Sequence, residues 1–306
     1  MISVTMATYN GKAYVKEQID SILAQTIQEF ELVVCDDYST DNTYQILEKY
    51  AAKDSRIKIF RNDFNLGFKK NFEKAISLCT GEYIALCDQD DIWLPNHLEL
   101  LKRNLEGYSL SCGNMEVIDL NGNSLGTTWD KECHFYYTEG NYLYMLLLRG
   151  NKFQGASMMM KRDFVKKLLP ISDAIKYHDI WFAVCACMEQ GLHYTTDVIT
   201  KYRVHGNNVS NPSRLKFLKK LLKDFVKSDV ETESFALYRE LKKIYGTENK
   251  NLYDIGKVLS HIENKKLSFK DIKFLWEHYY DIGGKKTHLD FIPALLVWNA
   301  WKEISE

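Results

Sequence analysis

Three carboxylates fall within four positions at Asp88-Gln89-Asp90-Asp91, closing an apolar run and just ahead of Ile92, Trp93 and Pro95. Carboxylates crowded at the end of a strand repel one another. A hard divalent cation such as Mg2+ or Mn2+ relieves that repulsion, because it takes oxygen ligands and keeps places for water or a substrate phosphate. In an extended chain Asp88 and Asp90 project to the same side, while Asp91 points elsewhere and suits capping of the segment that follows. A second acidic pair, Asp36-Asp37, ends another apolar run. Asp37 is placed to accept hydrogen bonds from a nucleotide base or ribose, and Asp41 belongs to the helix start Ser39-Thr40-Asp41-Asn42. The plainer alternative for either cluster is a solvated acidic turn with a helix cap. No GxGxxG or GxxxxGK[ST] stretch occurs, so the usual dinucleotide and P-loop phosphate cradles are absent.

The elements that must position these residues follow from periodicity. Strands are predicted over 2–7, 30–35, 57–60 and 83–87, and helices over 13–24, 44–51 and 68–78. This alternation implies an α/β fold with a mainly parallel, Rossmann-like sheet and helices on both faces. Ligands of such sheets bind beyond the carboxyl ends of the strands. Four polar clusters sit there: Thr8-Tyr9-Asn10, Asp36-Asp37, Asn62-Asp63 and Asp88-Gln89-Asp90-Asp91. Their convergence favours an enzyme or a small-molecule binding domain. Beyond residue 105 the pattern loosens into an aromatic-rich helical stretch (136–148), a strand near 156–160, a helix near 180–188 and a strand near 198–204. After Asn211-Pro212 the chain turns Lys-, Leu- and aromatic-rich and helical in period.

The 306 residues carry a formal net charge of -1, which argues against a nucleic-acid-binding protein. Seven scattered cysteines without CxxC spacing read as reduced, buried thiols. The chain opens directly on a strand and has no apolar stretch near the roughly 20 residues that span a bilayer. The expected location is the cytoplasm, with the inner face of the plasma membrane as a place of contact.

The blocks MATYNG, VVCDDYSTDNT, NLGFKKNFEKA and GEYIALCDQDDIWLP, followed by NKFQGASMMMKRDF, YHDIW and YRVHGNNVS, together resemble the inverting, nucleotide-sugar-dependent glycosyltransferases of family 2, which have the GT-A fold. The resemblance covers about residues 1–210 and is greatest to a rhamnosyltransferase-like branch. It implies a GT-A catalytic domain over 1–210, with a nucleotide-binding half (1–105) and an acceptor-binding half (106–210), and a helical C-terminal region over 211–306. It also implies that Ala7, Thr8, Tyr9 and Asp37 hold the nucleotide base and ribose. Asp88 then contacts ribose and metal, Asp90 is the direct ligand of Mg2+ or Mn2+, His205 completes the metal site, and Asp179 is the general base. Arg203, two residues before His205, is expected beside the donor diphosphate; Lys69 and Lys70 suit either the phosphates or a solvated helix face. Relatives often carry Glu or Asp where this chain has His178, which leaves that residue to tune the base, contact the acceptor or pack. Tyr38 stands where relatives often have Gly and would narrow or cover the base pocket.

The implied activity is metal-dependent transfer of a sugar, dTDP-L-rhamnose being the expected donor, to a glycan or lipid-linked acceptor in bacterial surface polysaccharide synthesis. The alternatives are a UDP-hexose transferase of the same fold, a non-catalytic nucleotide-sugar-binding protein, and a nucleotidyltransferase, which normally needs a Gly- and Arg/Lys-rich N-terminal loop absent here. The basic amphipathic stretch 215–227 and the aromatic end 291–301 suit packing on the catalytic domain, an anionic membrane surface or a homodimer interface.

Overall fold

A computed structural model of the chain describes residues 1–133, 141–205, 233–246 and 248–264, together with 268, 270–271 and 273–274. The amphipathic stretch 215–227 and the aromatic end 291–301 lie outside the described residues. The chain divides into two units, one of residues 1–132 and 151–211 and the other of 133–150 and 212–306. Residues 133–150, placed by sequence within the acceptor-binding half, thus group with the C-terminal region.

In the first unit β1 (Ile2–Thr8), α1 (Val15–Leu23), β2 (Phe30–Asp36), α2 (Thr43–Ala51), β3 (Ile57–Arg61), α3 (Phe68–Leu78) and β4 (Tyr83–Cys87) follow in strict alternation. β5 (Ile92–Trp93), α4 (His97–Asn104), β6 (Leu110–Ile118), β7 (Ser124–Thr128) and α5 (Trp129–Glu132) come next. The second unit supplies α6 (Leu143–Arg149). The first resumes with β8 (Met158–Lys161), α7 (Arg162–Lys166), α8 (His178–Met188) and β9 (Leu192–Arg203). Helices α9 (Glu233–Tyr245) and α10 (Lys250–Glu263) belong to the second unit, where Tyr144 of α6 hydrogen-bonds Asn251 and packs edge-on against Phe274.

One sheet runs β3-β2-β1-β4-β8-β6-β9-β5, with β7 beside β6. Its first four strands are parallel, as a βα alternation requires, and β8 then joins antiparallel to both β4 and β6. Side chains alternate across the pleat. Ile2, Val4 and Met6 of β1 therefore join one core cluster with Val15, Ile19 and Ile22 of α1, Leu47 of α2 and Leu98 and Leu101 of α4. The other face of β1 and β2 receives α3, which buries Phe72, Ala75 and Ile76. The expected GT-A arrangement of an α/β sheet covered on both faces is what the chain forms. All seven cysteines are free thiols, and all but Cys133 are buried.

At the amino ends of these strands, opposite the polar clusters, a buried carboxylate knots the sheet together. Glu31 accepts from Ser3 Oγ (2.5 Å), Thr80 N (2.6 Å), Thr80 Oγ1 (2.8 Å) and Lys58 Nζ (2.6 Å). Burial alone would push its carboxyl up, but the donors of Lys58, Ser3 and Thr80 outweigh it and hold the group down at about 2 rather than 4.5. A depressed carboxylate stabilises the fold above its unfolded value and loses that contribution as acid protonates it. The stabilisation from Glu31 should therefore fade from about pH 4.5 to about pH 2. Glu31→Gln should cost about 2 kcal/mol at neutral pH and flatten that acid limb, because it strips charge from four donors. Urea melts followed by circular dichroism across this pH range check both; equal stability of the variant at pH 7 contradicts the assignment.

Candidate active site

The four polar clusters lie along the carboxyl ends of β1, β2, β3 and β4, and side-chain hydrogen bonds lock them to one another. Gln89, between the two aspartates, accepts from Tyr9 N and donates to Tyr9 O, both at 3.0 Å. Gly11 is needed beneath it, since a β-carbon there would lie 2.1 Å from Gln89 Oε1. Asn10, at a left-handed φ of 48°, accepts through Oδ1 from the backbone of Thr40 and Asp41, and its own N–H donates to Ser39 Oγ. Nothing in the sequence reading singled out Gln89 or Asn10. An amide side chain inside an acidic motif and an Asn before Gly were the available signals.

Of the residues expected at the nucleotide, Tyr9 is half exposed at 47% and Ala7 is partly exposed near the end of β1, beside Cys35 of β2. Thr8 is buried and its hydroxyl donates to Asp36 Oδ1 at 3.1 Å. Asp36 also takes Ser39 N and Oγ, so it shapes the turn after β2. Asp37 is buried as well: Oδ1 accepts from Asn62 Nδ2 and Leu66 N at 2.7 Å each, and Oδ2 from Gly67 N at 2.9 Å. Its carboxylate thus fixes the 62–67 loop that leads into α3. Tyr38 stands between Asp37 and Ser39 at φ 64° and 48% exposed, with the Arg61 guanidinium 5.5 Å from its ring. Asp41 takes Thr43 N and the Thr43 hydroxyl, and so belongs to the local helix start, as expected.

At the mouth of β4 the structure brings together most of the expected metal set. His205 Nε2 lies 2.7 Å from Asp90 Oδ2, and its ring stacks at 5.5 Å on Tyr14. Burial, then the charges of Asp90 and Asp179, push the Asp88 carboxyl up to about 7. Asp91 is buried with Oδ2 unpartnered, and burial together with Asp90 and Asp88 pushes its carboxyl well up. Among the described residues no three His, Cys, Asp or Glu side chains already converge on one point. The donor types nonetheless suit a divalent cation. The carboxylates of Asp88 and Asp90 are the oxygen donors that Mg2+ or Mn2+ takes, and His205 Nε2 lies beside them.

Arg203, expected beside the donor diphosphate, does something else. It is only 1% exposed, and its donors are spent inside the protein. Its N–H donates to Asp91 Oδ1 (3.0 Å), Nε to Asp90 O (2.8 Å), Nη1 to Leu120 O (2.9 Å) and Nη2 to Glu17 Oε2 (2.5 Å). A planar fork that reaches three chain segments is a frame for the acidic loop. The sequence reading places Arg203 beside the acidic motif, and the structure turns its guanidinium inward to Asp90 O and Glu17. Lys69 likewise turns from the phosphates and donates to Ser172 O (3.1 Å) and Ile175 O (2.8 Å), holding the segment ahead of α8.

Asp179 lies in the first turn of α8, where the helix's positive end favours a carboxylate; its Oδ1 accepts from Ile180 N at 2.7 Å. Its charge acts on Asp88, so the expected base and the acidic motif share one edge of the sheet. His178 precedes it, buried against Phe72 at 4.3 Å between ring centres.

Residues 3–169 match the profile described as glycosyl transferase family 2. The chain belongs to that family. It is 31% identical over 229 residues to the uncharacterized glycosyltransferase MJ1057 of Methanocaldococcus jannaschii, covering 73% of this chain and 75% of that one. It is 39% identical over 127 residues to WfgD of Escherichia coli, a UDP-Glc:alpha-D-GlcNAc-diphosphoundecaprenol beta-1,3-glucosyltransferase, covering 40% and 48% respectively. In fold it resembles S. aureus TarS 1-349 in complex with UDP-GlcNAc, with a TM-score of 0.56 at 18% identity over 94% of this chain and 93% of that one. It also resembles the mannosyltransferase PcManGT of Pyrobaculum calidifontis in complex with GDP-Man and Mn2+, with a TM-score of 0.51 at 17% identity over 91% and 79%.

If Arg203 frames the family 2 site, Arg203→Met should lower unfolding free energy by about 2 kcal/mol, because Asp90 O, Leu120 O and Glu17 Oε2 lose one charged donor together. Urea denaturation of the two proteins measures it. A midpoint equal to wild type would mean that the acidic loop holds itself.

Proposed function

We propose that this family 2 chain is an inverting, metal-dependent glycosyltransferase that takes a pyrimidine nucleoside diphosphate sugar and delivers the sugar to a glycan or lipid-linked acceptor. The observation that carries the reading is the meeting of Asp88, Asp90 and His205 on one sheet edge, within the electrostatic reach of Asp179. Asp179 accepts the proton of the acceptor hydroxyl as that oxygen attacks the anomeric carbon from the side opposite the diphosphate, so a single displacement inverts the centre. Asp88, Asp90 and His205 would hold the divalent cation, whose chemistry when bound is to neutralise charge gathering on the departing diphosphate. Asp37 keeps acceptor capacity for the nucleotide, since Oδ2 carries a single hydrogen bond, from Gly67 N. Exposed Tyr9 offers its ring to the base, with the 7–9 backbone beside it. Tyr38 stands at the same rim and narrows it.

Two donors fit this class. The sequence resemblance points to dTDP-L-rhamnose, whereas the stretch shared with WfgD, which by its name uses UDP-Glc on a diphosphoundecaprenol-linked sugar, favours a UDP-hexose and a lipid-linked acceptor. Such an acceptor would bring the chain to the inner face of the plasma membrane. Among the described residues no helix is long and apolar enough to cross one.

Calorimetry and thermal shift against dTDP-L-rhamnose, UDP-glucose, UDP-galactose, UDP-GlcNAc and GDP-mannose, with and without Mn2+, separate these donors, because a ligand bound to the native state raises apparent stability. One donor should bind, need the metal, and lose affinity in Asp90→Ala. Asp179→Asn should keep donor affinity and lose about 10²- to 10⁴-fold in turnover. Full turnover in Asp179→Asn contradicts its role as base. Pyrophosphate as product in place of nucleoside diphosphate would make the chain a nucleotidyltransferase.

A further inference from the structure

His178 is a polar side chain that the fold encloses without satisfying. It is 8% exposed, and both ring nitrogens are buried with no hydrogen-bond partner. Phe72, Phe68 and Phe182 pack around it with ring centres at 4.3, 6.2 and 6.3 Å. Burial pushes the imidazole down to about 4, and its place at the start of α8 also disfavours a cation, so the ring is neutral at physiological pH. A neutral imidazole has one N–H and one lone pair, and a phenylalanine in the same aromatic nest would leave neither unmet.

On a further side the ring borders Gly155, which is itself buried. A β-carbon on Gly155 would lie 3.3 Å from His178 Nε2, 3.7 Å from Asp179 Cβ and 3.8 Å from Leu86 Cδ1, so this residue borders both side chains and a side chain here would crowd Nε2. Trp93 Nε1, donating to Ala156 O at 3.2 Å, pins the turn that carries the glycine. A group reaching Nε2 along this flank arrives beside Asp179. The ring is suited to a hydroxyl, which both gives and accepts a hydrogen bond.

We propose that His178 contacts the attacking oxygen, one ring nitrogen hydrogen-bonding the hydroxyl that Asp179 deprotonates and so fixing its direction of attack. The inference rests on the reading of Asp179 as general base. In the step itself the hydroxyl proton passes to the Asp179 carboxylate, the oxygen forms its bond to the anomeric carbon, and the bond from that carbon to the diphosphate oxygen breaks. Its electron pair leaves on the nucleoside diphosphate. His178 keeps the same protons throughout and orients without transferring.

The test uses the full chain and the donor found by the calorimetric screen, with water and a panel of octyl glycosides (glucoside, galactoside, N-acetylglucosaminide, rhamnoside) as acceptors. His178→Phe should keep its melting temperature or gain a little, keep donor affinity within about twofold, and lose at least about tenfold in nucleoside diphosphate release to water and to whichever glycoside is used. His178→Gln, which restores an amide donor and acceptor, should recover part of that loss. Gly155→Ala, which crowds the flank and leaves the imidazole in place, should reduce turnover with donor affinity intact. A folded His178→Phe that turns over like wild type shows that the ring only packs. His178→Gln as slow as His178→Phe overturns the hydrogen bond. If His178→Phe does not fold, the glutamine and Gly155→Ala variants decide in the same way. Failure of the underlying reading is visible separately, as full turnover in Asp179→Asn, and the inference falls with it; a slow Asp179→Asn beside a fast His178→Phe removes the inference alone.

Discussion

A guanidinium buried behind an acidic loop is the interaction on which the rest of this site depends. Asp88, Asp90 and Asp91 stand on one short connection, and burial pushes the carboxyls of Asp88 and Asp91 up. Arg203 answers that from behind: its backbone N–H goes to the Asp91 carboxylate and its side chain to the Asp90 carbonyl, while the same fork reaches Leu120 and Glu17. Because Arg203 ends β9, the bonds also fix where the chain leaves that strand. His205 follows two residues later and meets Asp90 at 2.7 Å. A lysine there would offer one point of charge where the guanidinium reaches three partners in different directions.

Around this frame the loops hold each other rather than relying on helices and strands beneath them. The Tyr9 backbone is clamped by Gln89, Asn10 ties the first loop to the second, and Asp37 gathers the third through Asn62, Leu66 and Gly67. Two non-glycine residues, Asn10 and Tyr38, take a left-handed φ within this region. Such strain is kept where surrounding bonds over-determine the backbone, as sites that must be preorganised require. Glycine at position 11 follows from the same crowding.

The sheet and the acidic loop were legible in sequence because each has a local signal. Apolar runs of strand length, separated by helical periods, gave the first seven elements almost residue for residue; α3 runs over Phe68–Leu78 as its spacing predicts. Polar residues at strand ends pointed to the candidate site, since in such sheets ligands bind beyond the carboxyl ends of the strands. What stayed hidden depends on where long side chains turn. Arg203 reads as a phosphate contact by type and position and Lys69 as a phosphate contact or a solvated helix face, yet one frames the acidic loop and the other holds carbonyls of residues 172 and 175. The grouping of 133–150 with 212–306 was equally invisible, because a short apolar helix such as α6 does not announce in its own sequence which unit will bury it.

Helix α3 carries the consequence furthest. Asp37 binds the backbone N–H groups of Leu66 and Gly67 just ahead of its first turn. Along its length Lys69 and Glu73 hold the segment 171–175, and Phe68 and Phe72 pack on His178 beside Asp179. The strand end at Asp37 and the helix start at Asp179 are therefore attached to one rigid rod, although 142 residues of chain separate them. A change at Asp37 that releases residues 66 and 67 would loosen the start of α3 and with it the aromatic wall behind His178. The two ends of the site are coupled through packing and main-chain bonds that the structure already contains, which is how a site assembled from distant loops keeps its parts in register.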